Sequence, residues 1–195
     1  MTVARRAARG ILIDEDGQLV LIRRTKPGLP VYWTTPGGGI EDEDAGAEAA
    51  MHREIFEELG ATATGAFPVF LVSDSSRAGL KIHYFFLARL ASLDVSLRNG
   101  PEFTASGKGR YDPDRVSLRG DGAALAAIDL RPPELKAFIL ANREALLADA
   151  GVAIPDEAPP SPVPPAGRPG ALAAEAALPS RSRPDSRRDR PARLA

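Results

Sequence analysis

A stretch of three glycines followed by a carboxylate-rich helix constrains this chain more than any other feature. Residues 47–59 have helical spacing because apolar residues recur at every fourth position, and Gly60 stands where a left-handed C-terminal cap belongs. The acidic residues Glu54, Glu57 and Glu58 fall at positions i, i+3 and i+4 and therefore share one face. The helix must accommodate three mutually repelling carboxylates within one turn.

Charge balance separates two interpretations of this acidic face. Arg53 lies four residues before Glu57 and can pair with it, but one guanidinium cannot balance three carboxylates. A hard divalent cation can, and Mg²⁺ or Mn²⁺ prefers carboxylates together with water and substrate phosphate. The alternative is a solvated acidic surface, which the spacing alone does not exclude.

The glycines favour the metal-binding interpretation. Pro36 and Gly37–Gly39 end an extended segment and lead into an acidic loop before the helix. Glycine lets the backbone approach a ligand closely and leaves a carbonyl free to face an ion. A simple turn rarely needs three consecutive glycines beside a helix that carries three carboxylates.

Together these residues resemble the Nudix box, whose pattern is G-x5-E-x7-R-E-U-x-E-E-x-G-U with U aliphatic. Gly39 and residues 53–61, REIFEELGA, fit the pattern without a gap. The family's first glutamate falls on Ala45, so one box glutamate is missing. Three acidic residues nearby are candidate substitutes: Asp44, Glu43 and Glu48.

The resemblance covers about residues 1–150 and implies the Nudix α/β/α sandwich, an α+β fold with a mixed β-sheet between helices. Trp33, three residues before Pro36-Gly-Gly, is similar to the family's W-x-x-P-G-G segment. The resemblance also implies a hydrolase that cleaves the phosphoanhydride bond of a nucleoside diphosphate linked to another moiety. Mg²⁺ or Mn²⁺ is the implied cofactor, and a small nucleotide is the implied substrate.

Residue roles follow from the resemblance by position. Arg53 would orient the glutamates by ion pairing, and Glu54 would be either a metal ligand or the base that activates water. Arg23 and Arg24 would lie near substrate phosphates, and Glu102 is a candidate base from a later loop, with a plain loop carboxylate as the alternative. The implied metal ligands are Gly39 through its carbonyl, Glu54, Glu57 and Glu58.

Periodicity predicts the rest of the domain. A second helix is expected over residues 132–148, with an apolar stripe that Asn142 interrupts. The strand candidates are rich in Val, Ile, Leu and Phe, and an Asp-Gly turn joins the first two. They are residues 10–13, 18–23, 67–72, 80–90 and 115–118.

A change of composition near Gly151 predicts that the folded domain ends there. Residues 151–195 hold ten of the 18 prolines and no aromatic residue. Such a segment buries too little apolar area to offset its ordering entropy, so we expect a disordered tail. Its arginine-rich end, residues 181–193, is interpreted as solvated, with contact to an anionic surface as the alternative.

Composition also bears on partners and compartment. The net charge of −1 argues against a generally cationic nucleic-acid binder, and no apolar run is long enough to span a bilayer. The first apolar run has four residues, too few for a signal-peptide core, so we expect a cytoplasmic protein. Oligomeric state is not fixed by the sequence, and a homodimer stays open.

Two other functions compete with hydrolysis. A Nudix-like module could sense a nucleotide without turnover, although such modules typically lose box glutamates and this chain keeps three of four. An isoprenoid diphosphate isomerase of the same fold employs a cysteine, and this chain contains none.

Overall fold

A computed structural model describes residues 2–100 and 109–153 of this protein, and within them the strands join into one eight-stranded sheet. Its order is β5-β6-β1-β2-β3-β8, with β4 paired to β1 and β7 paired to β2. The β1–β6 and β3–β8 pairs are parallel and the others antiparallel, so the sheet is mixed, as predicted. The strands are β1 (Val3–Ile13), β2 (Gln18–Thr25), β3 (Tyr32–Thr34), β4 (Gly37–Gly39), β5 (Ala61–Ser76), β6 (Gly79–Leu93), β7 (Arg110–Ser117) and β8 (Leu130–Arg131).

Helices pack on both faces of this sheet because alternate residues of its central strands point to opposite sides. Leu12 of β1 belongs to a buried cluster with Met51 and Ile55, whereas Ile11 belongs to a second cluster with Leu135. The predicted sandwich of helix, sheet and helix is therefore confirmed. The helices are α1 (Ala47–Leu59), α2 (Ala123–Ala126), α3 (Pro133–Ala141) and α4 (Arg143–Asp149).

Helix α1, which carries the acidic face, has the predicted bounds. Met51, Ile55 and Leu59 are fully buried against the sheet. Gly60 adopts the left-handed conformation with φ 62°, and its N–H donates to the Phe56 carbonyl at 2.8 Å. The apolar stripe therefore fixes the rotation of α1, which turns the adjacent face with Glu54 and Glu58 toward the glycine strand β4.

The single helix predicted over residues 132–148 is wrong, because the chain forms two helices that meet at Asn142. The Asn142 side-chain amide donates to the Phe138 carbonyl at 2.8 Å, and its φ of −117° lies outside the helical range. Side-chain competition for a backbone carbonyl thus ends α3 where the apolar stripe was interrupted. Helix α4 then begins at Arg143.

Several strands extend beyond their predicted bounds. β5 begins at Ala61 rather than at Phe67. The sequence pattern does not indicate this earlier start, because the first residues of β5 are small and show no apolar alternation. β7 runs over Arg110–Ser117 and includes Pro113, which is tolerated because β7 pairs only with β2 in the described part of the chain. Strands of two or three residues, β3, β4 and β8, are too short to produce a detectable period.

Packed structure continues a few residues past Gly151. Val152 is 5% exposed and joins the cluster that includes Leu146 and Leu147. The Ala153 carbonyl accepts a hydrogen bond from Arg119 at 3.1 Å. The remainder of the predicted tail, residues 154–195, lies outside the described residues.

Within residues 2–100 and 109–153, no helix is both long and apolar enough to cross a membrane.

Candidate active site

Strand β4 brings the three glycines against the acidic face of α1. Gly38 lies opposite Ala8 of β1, and a Cβ at Gly38 would collide with the Glu54 carboxylate. Only glycine therefore leaves room for Glu54 to lie against this backbone. The Gly37 N–H donates to Oε2 of Glu58 at 2.7 Å. Two predicted site glutamates thus converge on one short strand.

Arg53 donates hydrogen bonds to oxygens of the other predicted metal ligands. Its Nη1 donates to Oε1 of Glu54 and to Oε2 of Glu57, both at 3.2 Å. Its Nη2 donates to the Gly39 carbonyl at 2.9 Å. The expected pairing of Arg53 with Glu57 is present, and the same guanidinium also reaches Glu54. The box residues therefore lie together around one cation and one strand.

Asp44, one of the three candidate substitutes for the missing glutamate, contacts this cation. Arg53 Nε donates to Oδ1 and Nη2 donates to Oδ2 of Asp44, each at 3.0 Å. The Glu41 N–H also donates to Oδ2 of Asp44, at 2.8 Å. Glu48, another candidate, instead lies 3.9 Å from His52 on the exposed side of α1. Asp44 thus ties the loop before α1 to the box arginine.

The Asp44–Arg53 contact keeps both groups ionised. The hydrogen bonds from Arg53, and after them the Glu41 N–H, lower the pKa of Asp44. The same hydrogen bonds, together with the charges of Glu54 and Glu57, raise the pKa of Arg53 well above its already high ordinary value. Arg53 is therefore a permanent cation within an acidic cluster.

The oxygens of this cluster suit a hard divalent cation. Carboxylates and a backbone carbonyl are the ligands that Mg²⁺ and Mn²⁺ prefer, and one arginine does not balance Asp44, Glu54, Glu57 and Glu58. Within residues 2–100 and 109–153, however, no group of three or more acidic or histidine side chains could hold a metal ion unaided. The donors fit a cation that completes its coordination with water and substrate phosphate, as Mg²⁺ commonly does.

A cavity of about 700 Å³ opens on the α3 side of β1, where Arg9 lies close enough to Glu54 and Glu58 to feel their charges. That volume is within the range of small-molecule sites. Residues from six elements of the fold line it, including Arg9, Val72, His83, Arg131 and Pro133. The cavity next to the acidic cluster thus combines apolar surface, two arginines and the carboxylates of Asp74, Asp129 and Glu134.

Arg9 stands between this cavity and the glutamates. Its Nη1 donates to the Thr35 carbonyl at 2.9 Å. Burial lowers the pKa of Arg9, while the charges of Glu58 and Glu54 raise it. The pKa of His83 is lowered, first by burial and then by Arg9 and other nearby cations, so its imidazole is neutral at pH 7. The positive charge at this wall therefore comes from arginine.

The remaining predicted residues are Arg23, Arg24 and Glu102, and Arg24 lies close enough to Arg9 to lower the pKa of Arg9. The Arg24 guanidinium lies 3.3 Å from the centroid of the Tyr111 ring, a cation–π contact. Arg23 pairs with Trp33 across β2 and β3. Contact of either arginine with substrate phosphate stays a prediction. Glu102, the candidate loop base, lies outside the described residues.

Sequence reasoning missed Arg9, which lines the cavity. Arg9 lies one residue before the predicted strand at 10–13, so the strand pattern does not assign it to a face of the sheet. The longer β1 gives it the same side as Ile11 and Ile13, which are fully buried. An arginine at an inward-facing strand position is the signal that could have found it.

Comparisons with known proteins agree with this fold. A family model described as "NUDIX domain" matches residues 3–124. A NUDIX hydrolase from Nitrosomonas europaea is 17% identical, with a TM-score of 0.53, and the match covers 72% of this chain and 88% of that one. The MutT protein from Methanosarcina mazei Go1 is also 17% identical, with a TM-score of 0.51 over 74% of this chain and 94% of that one. No curated protein matches the chain. At these identities the solved structures show a shared fold.

Proposed function

This chain belongs to the NUDIX domain family, and from that premise we propose that it hydrolyses the phosphoanhydride bond of a nucleoside diphosphate linked to another moiety. Mg²⁺ or Mn²⁺ is the proposed cofactor, and the cytoplasm is the proposed compartment. The proposed substrate is a small nucleotide derivative.

One observation carries the proposal: Glu54, Glu57 and the Gly39 carbonyl surround the guanidinium of Arg53. Carboxylates held together in this way repel one another, and the single arginine only partly offsets that repulsion. A solvated acidic surface would not need Arg53 to draw these oxygens together or a glycine strand to admit Glu54. The arrangement therefore supports a site that receives further positive charge.

A phosphoanhydride resists attack because its oxygens are negative. A cation bound by the box glutamates and the Gly39 carbonyl together with water and substrate phosphate would neutralise that charge and lower the pKa of a bound water. The protein's own residues have distinct tasks in this proposal. Arg53 holds the carboxylates of Glu54 and Glu57 in a fixed orientation. Glu54, which lies against Gly38, either completes the ligand set or accepts the proton of the attacking water.

Asp44 supports Arg53 from the other side. Because its carboxylate accepts hydrogen bonds from two different nitrogens of Arg53, the guanidinium cannot rotate away from the glutamates without breaking both. Asp44 is therefore a positioning residue in this proposal. Its carboxylate takes the place of the glutamate that the box pattern has at the position of Ala45.

A nucleotide sensor of the same fold is the competing function, and the loss of a glutamate at Ala45 is the kind of change such a module shows. The Asp44–Arg53 contact favours the hydrolase, because a site that only binds nucleotide has no need to keep Arg53 oriented toward Glu54 and Glu57.

The test is a screen of purified full-length protein against a panel of phosphoanhydrides. The panel comprises nucleotide sugars, ADP-ribose, dinucleoside polyphosphates and oxidised nucleoside triphosphates, each assayed with Mg²⁺ and with EDTA. We expect products from at least one class with Mg²⁺, none with EDTA, and recovery when Mg²⁺ or Mn²⁺ is added back. Binding without products across the panel would contradict hydrolysis and favour the sensor.

A further inference from the structure

One arginine beside the glutamates lacks the carboxylate partner that its neighbours have. Arg53 pairs with Asp44 at 3.0 Å, and Arg131 pairs with Asp129 at 2.7 Å. Among the ion pairs within residues 2–100 and 109–153, none involves Arg9. Arg9 is nevertheless half-buried, where a charge without a close partner is costly, and the more distant charges of Glu58 and Glu54 offset only part of that cost. Its surroundings are therefore suited to an anion that is not part of the protein.

The position of Arg9 defines where that anion would lie. One nitrogen, Nη1, is held by the Thr35 carbonyl at 2.9 Å. Arg9 also lines the cavity of about 700 Å³, and the charges of Glu58 and Glu54 act on it from the α1 side. The guanidinium thus stands at the boundary between the cavity and the acidic cluster, with its orientation fixed by a backbone carbonyl.

We propose that Arg9 binds the phosphate that is not attacked, and that the cavity holds the organic group attached to that phosphate. The inference rests on the proposed function, because it presumes that the other phosphate meets the glutamates. A guanidinium fork matches the spacing of phosphate oxygens. The ligand class is an organic diphosphate that spans the boundary at Arg9.

The walls of the cavity beyond Arg9 fit an organic group. Val72, Pro132 and Pro133 provide apolar surface, and Thr34 and His83 offer polar groups. The lining also includes the carboxylates of Asp74, Asp129 and Glu134. Arg131 lies on the same lining but is a poor candidate for the phosphate ligand. Two of its nitrogens bind Asp129, and its guanidinium lies 4.3 Å from the centroid of the Tyr32 ring.

The experiment measures binding of methylene diphosphonate, a non-hydrolysable diphosphate, by calorimetry in EDTA at low ionic strength. The proteins are the wild-type full chain, Arg9→Gln, Arg9→Lys and the control Arg6→Gln. Arg6 lies on β1 three residues before Arg9, is exposed and does not line the cavity, so its substitution changes the net charge equally. Melting curves verify that each variant is folded.

We expect the wild type to bind the diphosphonate and Arg9→Gln to bind it about tenfold or more weakly. Arg9→Lys should show a smaller loss, because it keeps the charge without the fork, and Arg6→Gln should match the wild type. If Arg9→Gln does not fold, Arg9→Lys compared with Arg6→Gln gives the answer. The proposal is overturned if the wild type does not bind, if Arg9 variants bind as well as the wild type, or if Arg6→Gln loses as much.

This assay separates the inference from the proposed function, because it needs neither metal nor turnover. Arg9-dependent binding together with no hydrolysis across the phosphoanhydride panel would refute the hydrolase and leave the phosphate site standing. Hydrolysis together with binding that does not depend on Arg9 would refute the phosphate site at Arg9 and leave the hydrolase standing.

Discussion

Asp44 binds Arg53 through both carboxylate oxygens, at 3.0 Å to Nε and 3.0 Å to Nη2. The contact is sheltered, since the Asp44 side chain is only 7% exposed. Ala45 stands where the Nudix box has its first glutamate, and the carboxylate of the preceding residue occupies the site next to the box arginine. The loop before α1 thus retains its tie to Arg53 although the expected glutamate is absent.

The first prediction concerns this positioning role. Asp44→Ala should lower kcat about 10- to 100-fold, the usual cost of removing a group that orients a metal-site residue, and change KM much less. Steady-state kinetics on the substrate found in the panel provides the measurement. Glu43→Gln, which removes an exposed carboxylate one residue earlier, is the matched control and should keep the wild-type rate.

A rescue variant distinguishes positioning from general destabilisation. In the double variant Asp44→Ala, Ala45→Glu, the family's glutamate is restored at its own box position. Recovery of most of the lost kcat is expected. Unchanged kcat in Asp44→Ala, or a loss that tracks only a lower melting temperature, would contradict the role assigned to Asp44.

The second prediction is a pH dependence of stability that arises from the same pair. Hydrogen bonds from Arg53 lower the folded-state pKa of Asp44, so its contribution to stability is present above its ordinary pKa of about 4. That contribution is lost as the pH falls through the lowered folded-state pKa. Urea unfolding at pH 7, 5, 4 and 3 should show wild type more stable than Asp44→Asn at pH 7. The difference in free energy of unfolding should shrink below about pH 4. A difference that persists undiminished to pH 3 would contradict the stabilising role of the Asp44–Arg53 pair.

The sequence predicts interactions between residues that are close along the chain better than interactions between residues that are far apart along it. Helix α1 and the Arg53–Glu57 pair follow from local spacing, and both are present as predicted. Which of Asp44, Glu43 and Glu48 contacts Arg53 depends on the conformation of the loop before α1, and residue spacing does not specify that conformation. Arg9 reaches the site only because β1 pairs with β4 and β6, which lie far along the chain. No local pattern encodes those pairings.

The third prediction tests why Gly38 is glycine. A Cβ there would collide with the Glu54 carboxylate, and because that carboxylate ends a flexible side chain, it can swing aside. Gly38→Ala should therefore displace Glu54 and reduce kcat while the melting temperature changes little. At Gly39 the nearest atom to an added Cβ, Nη2 of Arg5, is 3.9 Å away. Gly39→Ala should consequently cost less activity. A larger loss for Gly39→Ala would contradict the packing of Glu54 on Gly38.

The fourth prediction addresses the proline-rich segment. Because Val152 is buried against Leu147 and its neighbours, the packed domain includes residues up to 153. Deletion of residues 154–195 should leave the melting temperature and the hydrolysis rate nearly unchanged, whereas deletion from residue 151 should lower the melting temperature. Thermal unfolding of both truncated proteins provides the comparison. Equal melting temperatures of the two truncated proteins would show that Val152 contributes little to stability. A large drop in melting temperature on deletion of residues 154–195 would show that the folded domain continues past residue 153.

The last prediction separates a metal-binding face from an acidic surface. Glu57 and Glu48 both lie on α1, so Glu57→Gln and Glu48→Gln change net charge and helix propensity equally. Only Glu57 shares the guanidinium of Arg53 with Glu54. Loss of an anionic ligand costs several kcal/mol in the transition state, so Glu57→Gln should slow turnover by roughly 10²- to 10⁴-fold, with each step of about 1.36 kcal/mol being tenfold. Glu48→Gln should have little effect, because Asp44 rather than Glu48 contacts Arg53. Steady-state rates and melting curves suffice, and equal small losses in both variants would mean that this face is solvated surface.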